Sequence, residues 1–266
     1  MRKVMSCNYS QCKSILYKDN PSFSSIVIGN SKGELWVNNI EKPAVALAYS
    51  APVGGFAIMG TPENYDGFFQ FLEKKFLIEL KAKGFNYFEF TVEEPILEKR
   101  VLEKFSDKEM NQEDEYFYRK YDKTEVHELS DYSVLRVNSD IIKNLNSGVY
   151  DNPEFLKKRI LESWNSYEEF LDSSLAFIAI KEKTIVGVIL GTAVFDKVVA
   201  IDIETHADHR KKGIAMTLTQ YFINECIQRK LIPQWNCVDS NIASRKTAES
   251  LGFKLLKKKP YYWFKL

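Results

Sequence analysis

Short apolar runs separated by glycine, proline and polar residues fill the first part of the chain. Between residues 25 and 60 they predict a meander of short strands, at 26–28, 34–37, 44–49 and 56–59. Apolar residues then recur at helical spacing from Tyr65 to Leu80. We expect Thr61 to cap this helix, Pro62 to hold its first position and Gly84 to end it.

The same patterns continue to the end of the chain and predict alternating strands and helices. A strand at 86–92, a helix at 95–105 and an aromatic strand at 115–121 complete a first series. After a polar stretch, a second series begins with a strand at 132–137 and helices at 139–146 and 153–171. The remaining predicted elements are strands at 176–180, 185–193 and 198–205, a helix at 212–229, a strand at 235–238, a helix at 242–251 and a strand at 261–265.

Length and pattern together predict two domains, at residues 1–127 and 128–266, since domains usually hold about 100–200 residues. The fold class is α+β, with the strands at 176–180, 185–193 and 198–205 expected to be antiparallel. A net charge of +1 favours neither nucleic acid nor an anionic membrane as partner. The longest apolar stretch, 175–195, is interrupted by charged residues, so no membrane span is expected.

Four sparse cysteines and three histidines do not form a metal-binding pattern, so no metal is expected. The first ten residues lack the apolar core of a secretory signal. We therefore expect a soluble cytoplasmic protein with reduced thiols.

The most informative segment joins a predicted strand to a predicted helix through a short basic turn. The turn and the first helical residues are Arg210, Lys211, Lys212, Gly213, Ile214 and Ala215. A helix start offers free backbone N–H groups and the positive end of the helix dipole, and a diphosphate satisfies both. Gly213 allows close approach of the backbone, and the small Ala215 keeps the first turn accessible. The alternative is a glycine in an ordinary basic helix start.

A second pattern follows at residues 241–253, beginning with Asn241 and ending in Gly252 and Phe253. With both patterns in this order the chain resembles the GNAT family of acetyltransferases. In that family, arginine or glutamine, two residues, glycine, one residue, and glycine or alanine bind the coenzyme A diphosphate. The resemblance implies a GNAT fold in the C-terminal half, with an N-terminal α/β domain of related but degenerate topology.

A looser resemblance concerns the bacterial enzymes similar to zwittermicin A resistance acetyltransferases. It covers about residues 132–266 and rests on the segment 164–171 and on Pro233, Trp235 and Cys237. It implies that the N-terminal half is that subgroup's accessory region.

The family resemblance also implies roles for individual residues. Ile203 and Thr205 would pair their backbone groups with the pantetheine amides of acetyl-CoA, adding a strand of ligand. The segment from Arg210 to Ala215 would hold the diphosphate. Asn241 and Ser244 would face the arm near the thioester, although Asn241 is also a plausible helix cap and Ser244 an ordinary solvated hydroxyl.

Proton transfer is where this chain departs from its relatives. Many members place a tyrosine acid seven residues after the asparagine, where this chain has Ala248, and some place a glutamate base five residues before it, where this chain has Asn236. We favour Glu204 as the base; the alternative is a structural carboxylate that is paired with a lysine or solvated. The other candidates are Asp202, His206, His209, Cys237, Tyr261 and Tyr262.

The leading hypothesis is an N-acetyltransferase that moves an acetyl group from acetyl-CoA to a primary amine of a small molecule by direct attack. Two alternatives remain open. The unfilled acid and base positions also fit a regulatory protein that binds acetyl-CoA without turnover. A two-domain aminoacyl transferase is disfavoured by the intact loop at 210–215, which such an enzyme does not need.

Overall fold

The computed structural model describes residues 1–266 and shows two compact units. The first comprises Met1–Glu115 together with Lys258–Leu266, and the second comprises Tyr116–Lys257. The predicted boundary after residue 127 falls inside the second unit, and the division into an accessory and a coenzyme domain stays a prediction. The mixture of helices with largely antiparallel sheet confirms the predicted α+β class.

The first unit alternates strands and helices after a short N-terminal segment. Its strands are β1 (Arg2–Val4), β2 (Gly33–Val37), β3 (Val45–Ser50), β4 (Gly55–Gly60), β5 (Tyr87–Val92), the first part of β6 (Asn111–Arg119) and the last part of β12 (Lys254–Lys265). Its helices are α1 (Pro21–Val27), α2 (Tyr65–Phe71), α3 (Leu77–Ala82) and α4 (Pro95–Lys104), with a 3-10 turn at Lys13–Ile15. A π-helical turn, Leu72–Phe76, joins α2 to α3.

The sheet of the first unit has the order β1-β2-β3-β4-β5-β12. Strands β4 and β5 are parallel, joined through α2 and α3, while the other pairs are antiparallel. One face packs against these helices in an aromatic core that includes Phe56, Phe76, Phe88 and Phe264. The other face is covered by α1 and the N-terminal segment.

The second unit repeats this plan with a longer antiparallel part. Its further strands are β7 (Ser133–Arg136), β8 (Ala176–Lys181), β9 (Thr184–Phe195), β10 (Val198–Thr205) and β11 (Ile232–Val238). Its helices are α5 (Ser139–Asn144), α6 (Glu154–Ser163), α7 (Tyr167–Ser173), α8 (Ile214–Gln228) and α9 (Ile242–Ser250), with a 3-10 turn at Ala207–His209.

The sheet of the second unit has the order β6-β11-β10-β9-β8-β7, and β10 and β11 are parallel. The pairs β8–β9 and β9–β10 are antiparallel, as predicted, and β7 also pairs antiparallel with β8. Helices α5–α7 pack on one face of the sheet. Helix α8 packs on the other face, where α9 covers a second cluster around Trp235.

Two predictions about the first unit are wrong. Residues 26–28 form no strand, because α1 extends from Pro21 and buries Phe23 and Ile26 against the sheet. The long helix begins at Tyr65, not after Thr61, because the side chain of Asn64 accepts a hydrogen bond from the backbone N–H of Gly67 and so caps it.

Three predictions about the second half also need correction. The expected helix at 153–171 is two helices, because Trp164 leaves helical geometry to donate its indole N–H to Gly191 and Ser166 caps α7. Strand β11 begins at Ile232, with Pro233 paired to Val199. Strand β12 begins at Lys254, seven residues before the predicted start of this strand. No helix has the length and apolar character needed to span a bilayer.

Candidate functional site

The parallel strands β10 and β11 pair over three residues and then separate. Their register runs from Val198 opposite Ile232 to Ala200 opposite Gln234 and stops there. At this point the pairing of β10 with β9 shifts, between Ala200 and Ile201. Such a bulge bends a strand and increases its local twist. The edge of β10 from Ile201 to Thr205 therefore lies beyond the paired part of β11.

Thr205 lies at the far end of this unpaired edge. Its backbone carbonyl accepts a hydrogen bond from Nε of Arg210 at 3.2 Å. Its side-chain hydroxyl is buried and has no hydrogen-bond partner in the protein. Buried polar atoms almost always have a partner, so this hydroxyl is a suitable contact for a bound ligand. Ile203, by contrast, turns its side chain into the core and offers a ligand only backbone groups.

The basic loop leads directly from β10 into α8 with an unusual backbone. Lys211 has φ of 61° and Gly213 has φ of 81°, both in the left-handed region. Gly213 is the N-cap of α8 and provides no side chain to bind the first N–H groups of the helix. These donors and the positive end of the helix dipole are therefore available to an anion. The structure brings the predicted diphosphate-binding residues together in this loop.

The side chains of the loop differ in what they can contribute. Arg210, Lys211 and Lys212 are exposed, and Lys212 donates to the backbone carbonyl of Asp208 at 3.1 Å. The side chain of Ile214 is only 1% exposed and packs in the core, so this residue can contribute only its backbone N–H to a ligand. Ala215 is half-buried at the first turn.

Gly187 on β9 sets how closely the helix start approaches the sheet. A Cβ at this position would lie 2.6 Å from Cγ2 of Ile214 and 2.9 Å from Cδ1 of Leu218. Gly187 is also the register partner of Thr205. The absence of a side chain at Gly187 therefore lets α8 begin directly over the end of β10.

Asn241 and Ser244 lie at the start of α9, after β11. Oδ1 of Asn241 accepts a hydrogen bond from the backbone N–H of Ser244 at 3.1 Å, so Asn241 is a helix cap. The hydroxyl of Ser244 accepts a hydrogen bond from the indole N–H of Trp235 at 2.8 Å. Asn241 thus has its alternative role as a cap, whereas the hydroxyl of Ser244 is bonded to Trp235 and is not simply solvated. The predicted contact of both residues with the pantetheine arm stays a prediction.

Glu204 is bound to a residue that the sequence analysis did not single out. The guanidinium of Arg159, on α6, contacts Asp202 through Nη1 and Glu204 through Nη2. The two carboxylate side chains remain 41% and 39% exposed, so each keeps oxygen surface for another partner. The alternative for Glu204 was a structural carboxylate paired with a lysine or solvated, and the structure shows it paired with an arginine.

The two histidine candidates lie near the basic loop. His209 shares a hydrogen bond with the phenol of Tyr132, with 3.1 Å between Nδ1 and the phenol oxygen. Burial lowers the pKa of His209, and the positive charge of Lys212 lowers it further. The ring of His206 lies 6.0 Å from that of His209 and 6.3 Å from that of Phe155.

The other catalytic candidates are buried or already engaged. Cys237 is 8% exposed within the core cluster beneath α9. Tyr261 and Tyr262 belong to the first unit and donate to Glu89 and Glu98, at 2.7 Å and 2.8 Å. In each case burial raises the tyrosine pKa, and the carboxylate raises it further.

The two positions where relatives carry an acid and a base hold other side chains here. Ala248 is fully buried. Asn236 accepts a hydrogen bond from Nε2 of Gln234 at 3.1 Å.

Sequence reasoning missed Arg159 because one arginine on an amphipathic helix carries no motif. The only available signal was the spacing of Phe155 and Arg159, which places both on one face of a helix. Their proximity is observed, with 5.8 Å from the guanidinium to the ring centre. Its partners on β10 could not be identified without the fold.

Comparison with known proteins shows which family the chain resembles. The family model described as "GNAT acetyltransferase" matches residues 13–262. The curated "Uncharacterized N-acetyltransferase YdfB" of Bacillus subtilis (strain 168) is 26% identical over 131 residues, which cover 48% of this chain. The match spans only 46% of the length of that relative.

Solved structures share the fold at low sequence identity. A GCN5-related N-acetyltransferase-like protein from Streptococcus suis 89/1591 superposes with a TM-score of 0.59 and 19% identity, covering 87% of this chain and 88% of that one. A GCN5-related N-acetyltransferase from Sphaerobacter thermophilus gives a TM-score of 0.55 and 12% identity, covering 86% and 83%. None of these matches bears on the zwittermicin A subgroup. The family match extends over nearly the entire chain, and the chain therefore belongs to the GNAT acetyltransferase family, whose members are acyltransferases.

Proposed function

We propose that this protein transfers the acetyl group of acetyl-CoA to a primary amine of a small molecule, by direct attack and without an acyl-enzyme. The observation that carries the proposal is the separation of β10 from β11 beside an uncapped helix start. A strand edge without a partner can pair with the amides of an extended ligand. A helix start with free N–H groups can bind the diphosphate to which that ligand is attached.

The residues present fit acetyl-CoA at three points. Gly213 and Lys211 hold the loop in a left-handed conformation that directs N–H groups outward, and Arg210 and Lys212 add positive charge beside them. The buried, unpaired hydroxyl of Thr205 supplies a polar contact at the end of the strand edge. When bound, acetyl-CoA supplies the thioester whose acetyl group is transferred.

Proton transfer is assigned to the opposite face of β10. Alternation along the strand places Asp202, Glu204 and His206 on the face away from Ile203 and Thr205. Of these, Glu204 is a half-exposed carboxylate that a positive group holds in place, which suits a base that accepts the proton of an acceptor ammonium. The looser resemblance to zwittermicin A resistance enzymes supports a small amine as acceptor.

The second candidate is a regulatory protein that binds acetyl-CoA without turnover. It is favoured by Ala248 and Asn236, which cannot act as acid or base at the positions where relatives carry such groups. The two candidates share the coenzyme site and differ only in proton transfer.

Acetyl-CoA binding is tested first. Acetyl-CoA should raise the melting temperature of the wild-type protein, and Gly213→Glu should abolish that increase, because a carboxylate would occupy the approach of the diphosphate. The control is Gly148→Glu, which also replaces a glycine of positive φ but lies on a loop of the second unit away from α8. Absence of stabilisation by any acyl-CoA would refute the proposal.

Turnover is tested second, by thiol release from acetyl-CoA across a panel of primary amines. Thiol release that depends on the amine supports the proposed acetyltransferase activity. Stabilisation by acetyl-CoA without release by any amine supports the regulatory protein instead.

A further inference from the structure

One guanidinium contacts two carboxylates on the face of β10 that α6 covers. Arg159 projects from α6 with its side chain 19% exposed, and its two terminal nitrogens each contact a different carboxylate, those of Asp202 and Glu204. The planar fork of arginine is suited to holding two acceptors in a fixed relation, which a lysine ammonium does less well.

The residues opposite Glu204 and Asp202 on β9 are apolar. Opposite Glu204 lies Val188, and opposite Asp202 lies Leu190, both fully buried. The charged and titratable groups on this face are Arg159 from α6, Asp202 from β10, and His206, which directly follows β10. His206 packs its ring against Phe155 and lies 3.7 Å from the carboxylate of Asp208.

The charges of Arg159 and Asp202 act on the Glu204 carboxylate in opposite directions. Asp202 and Glu204 lie two residues apart on one face of a strand, so their negative charges repel. A like charge favours the protonated form of a carboxyl group and a positive charge favours the ionised form. The guanidinium of Arg159 offsets the repulsion from Asp202 and fixes the orientation of the Glu204 carboxylate.

We infer that Arg159 is a positioning residue that acts through Glu204, holding this carboxylate ionised and oriented to accept the proton of the acceptor amine. This inference rests on the proposed function. In the reaction, the acceptor ammonium loses one proton to Glu204 and its nitrogen lone pair forms a bond to the thioester carbonyl carbon. The carbon–sulfur bond breaks, and the leaving sulfur gains the second proton lost by the nitrogen. Glu204 then returns its proton to solvent, so the net products are the amide, coenzyme A thiol and one proton.

The test compares the pH dependence of kcat, at saturating amine and acetyl-CoA, for three variants and the wild type. Arg159→Gln removes the positive charge, so the acid limb should move to higher pH by about one unit, and kcat on that limb should fall roughly tenfold. Arg159→Lys keeps the positive charge, so both the position of the acid limb and kcat should be close to those of the wild type. Asp202→Asn removes the repulsion and should move the acid limb to lower pH.

A purely structural role for Arg159 predicts a different result. All Arg159 variants would lose stability and activity together, while the pH profile stayed in place; that outcome overturns the inference. Even if Arg159→Gln fails to fold, the shift to lower pH expected for Asp202→Asn still tests whether the neighbouring charges act on Glu204. An unmoved acid limb in Asp202→Asn also overturns the inference.

A double variant tests whether Arg159 acts through Glu204. When Glu204→Gln has already removed the base, adding Arg159→Gln should cause little further loss of kcat, whereas independent roles would give losses that multiply. Failure of the proposed function is distinguishable, because the wild type would then release no thiol with any amine. A wild type that is active with unmoved variant profiles refutes only the role of Arg159.

Discussion

The phenol of Tyr17 donates a hydrogen bond to the carboxylate of Glu94 at 2.5 Å, where β5 of the first unit ends. The same phenol oxygen accepts a hydrogen bond from the backbone N–H of Gly60, the last residue of β4, at 3.1 Å. Next to it, Asn20 donates to Glu93 at 2.6 Å. The N-terminal segment therefore bridges the ends of the parallel strands in the first unit. In the second unit, β10 and β11 part after three paired residues.

One molecule of acetyl-CoA should bind per chain. The first unit has the same strand–helix–strand order, but its helix start is capped by Asn64 and carries Asp66 in the first turn, which disfavours a diphosphate. Isothermal titration should give a stoichiometry of one in the wild type and no binding in Gly213→Glu. A stoichiometry of two, with one site retained in that variant, would show that the first unit also binds the coenzyme.

Asn241→Asp and Asn241→Ala should separate the helix-capping role of this residue from a role in binding the pantetheine arm. Asparagine and aspartate both carry a side-chain oxygen that can cap α9. Only the alanine variant should therefore lose stability, by about 1 kcal/mol. Both variants lose the amide N–H, so both should bind acetyl-CoA more weakly, by roughly tenfold if that group contacts the arm. Normal affinity in Asn241→Asp would leave Asn241 as a cap alone.

Gly187→Ala should weaken acetyl-CoA binding although the residue is not in the loop. The new methyl group would collide with Ile214 and Leu218 and move the start of α8 away from β10. We expect a loss of about 1–3 kcal/mol in the free energy of unfolding and roughly tenfold weaker binding.

Gly191→Ala is the matched control on the same strand. Its methyl group would lie 2.4 Å from Oγ of Ser174 and 2.6 Å from Cγ1 of Val199, so the crowding is similar. Stability should fall in both variants, and coenzyme affinity only in Gly187→Ala. Equal affinities in the two variants would show that the helix start does not depend on Gly187.

Tyr118→Phe should reduce stability without altering catalysis. The tyrosine is 2% exposed and donates to Glu249 at 2.9 Å, a bond worth about 1 kcal/mol. Burial, then the bond to Glu249, raises the Tyr118 pKa to about 12, above the value of about 10 in an unfolded chain. The stabilisation is therefore complete below about pH 10 and is lost as the pH rises through about 12.

Denaturant unfolding of wild type and Tyr118→Phe measures this difference. The gap between the two free energies of unfolding should narrow from about pH 10 to about pH 12. The kcat of the variant at neutral pH should equal that of the wild type. A fall of tenfold or more would identify Tyr118 as the missing acid in place of Ala248.

The acceptor should be favoured by additional positive charge. Asp202 and Glu204 share one guanidinium, which leaves one net negative charge on a half-exposed surface. A diamine should therefore show a higher kcat/KM than the monoamine of equal chain length, by a factor of several at low salt, and the advantage should shrink as salt is added. If an amine that carries a carboxylate had the same kcat/KM as the diamine, this expectation would be contradicted.

Local patterns predicted the basic loop before α8 and most of the elements. Arg210 to Ala215 are consecutive, so a helix start with a glycine and basic flanks is defined by neighbours in the chain. Asn241 was predicted as a cap for the same reason, and its bond to Ser244 is observed. Errors occurred where burial outweighs local preference, as at 26–28, or where a distant bond interrupts a helix, as Trp164 does.

The amino-acid sequence by itself therefore determined the family, the basic loop that leads into α8 and most of the elements, because these depend on residues close together in the chain. Only the tertiary structure decided that β10 and β11 part after three paired residues, that Ser244 is bound to Trp235, and that Arg159 holds Glu204. Each of these depends on strand register or on contacts between distant elements. Such contacts are set by how the sheet twists and how helices pack upon it, and no local pattern encodes that geometry.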